Sequence, residues 1–139
     1  MGDGIMATFG AAVTTDRFAA DALRAVDDIM AAVQSWKSDC AGQGKPALEI
    51  GAAVATGSVI FGAVGDATRL EYTVIGDAVN ISAKLEKHTK KEGVHALCTA
   101  ETYRMATSQG YQPPSDRALL ENRLVEGLAE PVDIIVAGE

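Results

Sequence analysis

Cysteine is scarce in this 139-residue chain, which has two. Cys40 and Cys98 lie far apart and form no C-x-x-C pair, so they read as reduced thiols in a cytoplasmic setting, neither of them catalytic. No apolar run approaches the roughly 20 residues that a membrane-spanning helix needs. The first residues lack the basic region and unbroken apolar stretch of a signal peptide. Positive charge is also in deficit: 12 Lys and Arg against 19 Asp and Glu give a formal net charge of −7. That balance argues against nucleic acid or an anionic membrane surface as a partner, but leaves room for a small anionic ligand at a local basic site. Several familiar signatures are missing too. Gly57, Gly62, Gly65 and Gly76 are spaced too irregularly for a dinucleotide fingerprint, and there is no G-x-x-x-x-G-K-[ST] loop. No serine sits in a G-x-S-x-G elbow. His88 and His95 have no cysteine or carboxylate at metal spacing, which speaks against zinc.

What is present is ordinary globular material, 47% hydrophobic and 22% charged, enough for a single domain over residues 1–139. Ile5 to Phe9, preceded by Gly-Asp-Gly, predicts a strand leaving a tight hairpin turn. Asp16 is expected to cap a helix in which Phe18, Ala22, Leu23, Val26, Ile29, Met30, Val33 and Trp36 recur at helical spacing, ending at Gly42 and Gly44. Leu48 to Val54, Ser58 to Val64 and Leu70 to Ile75 read as strands. Asp77 then reads as the cap of a helix running to about Thr89, with Val79, Ala83 and Glu86 on one side and Asn80, Lys84 and Lys87 on another. A short strand at Ala96 to Cys98, a helix over Thr99 to Thr107 opened by Thr-x-x-Thr, and an antiparallel pair at Arg117 to Val125 and Val132 to Val136 complete the pattern. Interleaved strands and helices without repeats or linkers indicate one α/β or α+β sandwich with helices against a sheet.

Three positions attract attention as chemistry. Asp3, between two glycines, projects a carboxylate where backbone can approach a ligand, although turn statistics alone favour a plain turn residue. Asn80 and Lys84 share a helical edge at i, i+4 spacing close to a helix N-terminus, which suits an anion; a solvated polar stripe is the ordinary alternative. Thr73 is by default a β-branched strand residue.

The blocks "GDGIMATFG", "VATGSVIFGAVGDATRLEYTVIGDAVNISAKLE" and "GLAEPVDIIV", in this order and spacing, resemble the class III adenylate and guanylate cyclase catalytic domain. The resemblance implies a ferredoxin-like α+β sandwich, here N-terminally truncated, and an enzyme that joins the 3′-hydroxyl of a nucleoside triphosphate to its own α-phosphate. It implies sites shared between two catalytic domains arranged head to tail, so the expected partners are ATP and another cyclase domain, in a homodimer, with intracellular signalling as the setting. By the same resemblance Asp3 is the second of two aspartates that hold Mg²⁺ or Mn²⁺, Asn80 orients the ribose, and Thr73 reads the base in a way that favours ATP. Lys84 occupies the place of an arginine that stabilises charge on the α-phosphate; lysine keeps the charge but not the planar fork. The first metal aspartate and a base-reading lysine would precede residue 1, and Glu126 stands where the family often has a lysine reaching toward the triphosphate.

The expectation is therefore an adenylate cyclase, a cytoplasmic domain of a membrane-anchored or multidomain parent, with residues 1–139 inactive by themselves. The alternative is a degenerate cyclase homology domain with a regulatory or nucleotide-binding role, favoured by Lys84 and Glu126. An absent first strand would leave an unpaired sheet edge and exposed apolar surface. The chain is accordingly expected to self-associate in light scattering at micromolar concentration; a monodisperse monomer would contradict this.

Overall fold

The computed structural model describes residues 3–139. In chain order it comprises α1 (Phe18–Gly42), β1 (Ala52–Val54), β2 (Ile60–Gly65), β3 (Leu70–Ile75), α2 (Asp77–Glu92), β4 (Ala96–Thr99), α3 (Ala100–Ser108), β5 (Leu119–Arg123) and β6 (Val132–Gly138). Four strands form one sheet in the order β1-β4-β6-β5, and β2 and β3 form a separate antiparallel hairpin. β1 runs parallel to β4, with Ala52 opposite Ala96 and Val54 opposite Cys98. β6 runs antiparallel to both β4 and β5.

Alternation along the two central strands explains how this sheet is covered. Ala96 and Cys98 of β4 and Ile135 and Ala137 of β6 pack with Ala19, Ala20, Leu23 and Val26 of α1 and Ala106 of α3. Leu97, Ile134 and Val136 point the other way, into a second cluster with Leu85 of α2 and Val125. Helices thus cover both faces of the sheet, whereas the sequence pattern had suggested helices against a sheet without distinguishing the faces. The mixed α+β sandwich is as expected.

Threonine hydroxyls tie the chain together where β4 passes into α3. Thr99 caps α3, its Oγ1 accepting from the Thr102 N–H. The Thr102 side chain is fully buried, lies 2.7 Å from the Thr99 hydroxyl and 3.0 Å from that of Thr56, and accepts from the Thr56 N–H. The segment leaving β1 is therefore fixed to the start of α3.

Several local expectations are corrected. Residues 5–9 form no strand. A strand exists through ladder bonds to a neighbour, and these residues pair with no other described strand; Ile5 is 96% exposed. Asp16 does not cap α1. Arg17 is the N-cap without a side-chain bond, and the helix's N–H groups at Ala19 and Ala20 instead donate to Oε1 of Gln109, at 2.9 and 3.1 Å. The apolar stripe of α1 is buried only through its first half, since Ile29 and Trp36 remain exposed. β1 is shorter than Leu48 to Val54, because its pairing begins at Ala52, opposite the first residue of β4. Asp77 lies inside the first turn of α2, where its charge suits the helix dipole, while Gly76 is the N-cap. The buried face of α2 is Ala78, Leu85, His88 and Thr89.

Candidate functional site

The Asn80 and Lys84 site is built on α2, whose position is set at both ends. Gly76 enters in an extended conformation, and a β-carbon there would lie 2.7 Å from the Ser58 carbonyl oxygen and 3.0 Å from the Val59 side chain, so the strand-to-helix corner requires glycine for space. Its carbonyl accepts from the N–H groups of Val79 and Asn80, at 3.1 and 3.4 Å, starting the helix. At the other end Gly93 takes the left-handed conformation at φ 69°, with its N–H on the Thr89 carbonyl. Gly57 is close to the same helix: a β-carbon there would meet that of Ala78 at 3.2 Å. Through Thr56, the buried Thr102 network thus supports the loop that lies against the first turn of α2.

Asn80 is exposed and Lys84 half-buried, one turn apart. Beside Lys84, Leu85 is fully buried and anchors the helix in the second core cluster. The Lys84 ammonium donates to the carbonyl oxygen of Gly127, in the loop between β5 and β6. Thr73 sits half-buried on β3, opposite Gly62 of β2. Asp3 is exposed, in a turn ahead of α1. The structure therefore brings Asn80 and Lys84 together on one helix edge and places Thr73 on the strand that feeds that helix, while Asp3 belongs to a different segment. Among the described residues no group of three or more His, Cys, Asp or Glu side chains could hold a metal ion. Mg²⁺ is usually bound through one or two carboxylates together with substrate phosphates, so Asp3 fits as one oxygen ligand of such an ion and does not constitute a centre alone.

The β2-β3 hairpin carries unusual surface. One face presents Ile60, Val64 and Ile75 alongside Thr73, and the other Phe61, Leu70 and Tyr72, with the Phe61 and Tyr72 rings stacked at 5.8 Å. Ile60, Leu70 and Tyr72 are each about 70% exposed or more, at 74%, 69% and 77%. A lone two-stranded hairpin is marginal in water, and apolar groups on both of its faces mark a surface meant to be covered.

Elsewhere the charged groups satisfy one another. Asp27 accepts from Tyr111 at 2.8 Å and Arg117 at 2.5 Å, and Glu49 accepts from Lys37 at 2.7 Å with His95 at 2.8 Å. Both sets border a cavity of about 270 Å³ between α1 and the end of β6, where Asp27 pairs with Arg117 and Lys37 with Glu49. Neither the Thr102 network nor the contact of Lys84 with Gly127 was foreseen from sequence.

The comparisons with known proteins come down on one family. Residues 1–123 match the model of the adenylate and guanylate cyclase catalytic domain. The chain belongs to that family. It is 31% identical over 98 residues to Adenylate cyclase 1 of Rhizobium meliloti (strain 1021), covering 70% of this chain and 15% of that protein. It is 39% identical over 61 residues to an adenylate cyclase of Anabaena cylindrica, covering 44% of this chain and 12% of the relative. The guanylyl cyclase Cya2 superposes with a TM-score of 0.73 at 26% identity, over 97% of this cyclase chain and 65% of the other. The adenylyl cyclase CyaB from P. aeruginosa gives 0.71 at 24% identity, over 91% and 63%, a likeness of fold. The cyclase chain thus spans less than two thirds of these solved chains and a small part of the curated relatives' length. No helix among the described residues is long and apolar enough to cross a membrane.

Cys98 is buried and holds its proton. Burial pushes its thiol from 9.0 up to about 12, with Arg117 nearby opposing and Asp27 adding to the rise. Tyr111 is likewise raised to about 12, first by burial and then by its bond to Asp27. Folding therefore holds both protons, so this contribution to stability is complete below pH 9 and disappears as pH climbs through 12. At pH 8 a disulfide-exchange thiol reagent is expected to modify Cys40 and spare Cys98 until the protein unfolds; two thiols reacting at equal rates in the folded protein would contradict this.

Proposed function

We propose that this cyclase domain works in an adenylate cyclase, converting ATP to cyclic AMP and pyrophosphate at a site completed by a second cyclase domain, in a homodimer serving intracellular signalling. The observation that carries the reading is the placing of Asn80 and Lys84 on one edge of the N-terminal half of α2, directly behind the strand that bears Thr73, within a domain of the cyclase family. In the reaction the ribose 3′-oxygen forms a bond to the α-phosphorus, the bond from that phosphorus to the bridging oxygen breaks, and pyrophosphate leaves with its electron pair. The hydroxyl proton passes to solvent.

Each residue has a part that its chemistry allows. The Asn80 amide donates and accepts hydrogen bonds and can fix the ribose so that its hydroxyl faces the phosphorus. The Lys84 ammonium stabilises charge that builds on the α-phosphate oxygens. The Thr73 hydroxyl can accept from the adenine amino group, which favours ATP over GTP. Asp3 would hold Mg²⁺ or Mn²⁺, which when bound supplies activation of the hydroxyl and neutralisation of the triphosphate. The apolar hairpin of β2 and β3 supports a dimer, since a second domain would cover Ile60, Phe61 and Tyr72. Residues 1–139 by themselves are expected to show no turnover, because they supply one of the two metal aspartates that the family's chemistry uses.

One observation favours a second reading, a regulatory homology domain: the Lys84 ammonium is already engaged with a backbone carbonyl, in a turn that carries the Glu126 carboxylate. The deciding assay is cAMP and cGMP formation with Mg²⁺ or Mn²⁺ by a polypeptide that contains this domain together with the strand bearing the other metal aspartate. Metal-dependent cAMP is expected, abolished by Asp3→Ala and reduced about 10²- to 10³-fold by Lys84→Ala. A folded dimer forming neither product would establish the regulatory reading instead.

A further inference from the structure

We propose that Gly127 is the positioning residue of Lys84, its carbonyl holding the ammonium and its missing side chain providing the space that the end of the lysine occupies. The proposal deepens the reading above and rests on it, in that the group so placed is the cation that meets the triphosphate of a nucleotide.

The turn that carries Gly127 is rigid for reasons independent of Lys84. The Leu128 N–H closes it on the Val125 carbonyl at 3.0 Å, and Gly127 has φ +84°, the conformation that the third residue of a type II turn requires. Val125 is 3% exposed, and both Val125 and Leu128 pack in the cluster that contains Leu85, the residue following Lys84. Helix and turn are therefore locked to one another by a shared apolar core, and the lysine bridges them at its rim.

Three atoms of the lysine lie over the glycine. A β-carbon at residue 127 would stand 2.9 Å from Cε, 3.2 Å from Nζ and 3.4 Å from Cδ of Lys84. Gly127 is thus constrained twice, by its backbone conformation and by the lysine above it. A free lysine side chain carries a large rotamer entropy. One bond to a fixed carbonyl removes much of that freedom before any ligand arrives, and an ammonium has two further protons to give to phosphate oxygens. Placed in this way, a lysine recovers part of the orientation that an arginine fork has intrinsically.

The contact and its consequence are tested separately. In amide-independent NMR of lysine Nζ groups on the ¹⁵N-labelled chain, the Lys84 ammonium is expected to be protected from exchange, and to lose that protection in Gly127→Ala and in Gly127→Asn. Asparagine tolerates positive φ, so the second variant introduces a β-carbon with less backbone strain. Binding of inorganic tripolyphosphate is then measured by calorimetry for the parent chain, Gly127→Asn, Lys84→Ala and the double variant. Affinity is expected to fall about tenfold in each single variant and no further in the double, because residues acting through one contact are not additive. Unchanged protection of Lys84 in both glycine variants overturns the proposal. So does affinity that falls in Lys84→Ala but persists in Gly127→Asn, or single effects that add in the double variant. Tripolyphosphate binding that is absent in the parent or unaffected by Lys84→Ala overturns the phosphate role of Lys84 itself, and the proposal with it.

Discussion

Strand β4 is buried along its whole length, and the rest of the domain is arranged around that constraint. A strand with apolar side chains on both faces needs a neighbour at each edge and a layer over each face. β1 and β6 supply the edges, α1 and α3 cover Ala96 and Cys98, and α2 covers Leu97. Burying Leu97 and Leu85 in one shared cluster fixes α2, and truncating either to alanine would cost about 2–5 kcal/mol in a core of this kind. Site geometry follows from that packing. Asn80 and Lys84 are carried on the outer edge of a helix whose inner edge is held by Leu85, while Thr102 of α3, bonded to Thr99 at the end of β4, holds the loop beside the same helix's first turn.

How much of this was legible in the sequence depended on how local the causes were. β3 and the helix capped by Thr99 appeared where expected, since alternation over Leu70 to Ile75 and a Thr-x-x-Thr box act within a few residues. The closing β5 and β6 pair was readable for the same reason. The start of α1 was not: Gln109, 90 positions along the chain from Ala19, satisfies the N–H groups that Asp16 had been expected to cap. Residues 5–9 have the composition of a strand, yet strand formation is decided by a pairing neighbour, and composition carries no information about one.

The site was legible in the same uneven way. The spacing of Asn80 and Lys84 is a property of one helix and was visible at once, whereas the embrace of Lys84 and Gly127 joins residues 43 positions apart. Two departures from the family pattern, lysine at 84 and glutamate at 126, looked separate in sequence. In the fold Lys84 of α2 meets Gly127, the residue after Glu126, in the turn between β5 and β6. A substitution is best judged against its spatial neighbours, and here the neighbour of Lys84 is a glycine whose carbonyl accepts its ammonium.

In the proposed homodimer, Asp3 of one domain would act together with Asn80 and Lys84 of the other. Mixing Asp3→Ala and Asn80→Ala versions of the active polypeptide tests this most directly. Each variant alone is predicted to be inactive, and random pairing should restore about a quarter of the parental cAMP formation, because half of the dimers then contain one intact site of two. A mixture as inactive as its components, with subunit exchange shown to occur, would contradict a site built across two domains.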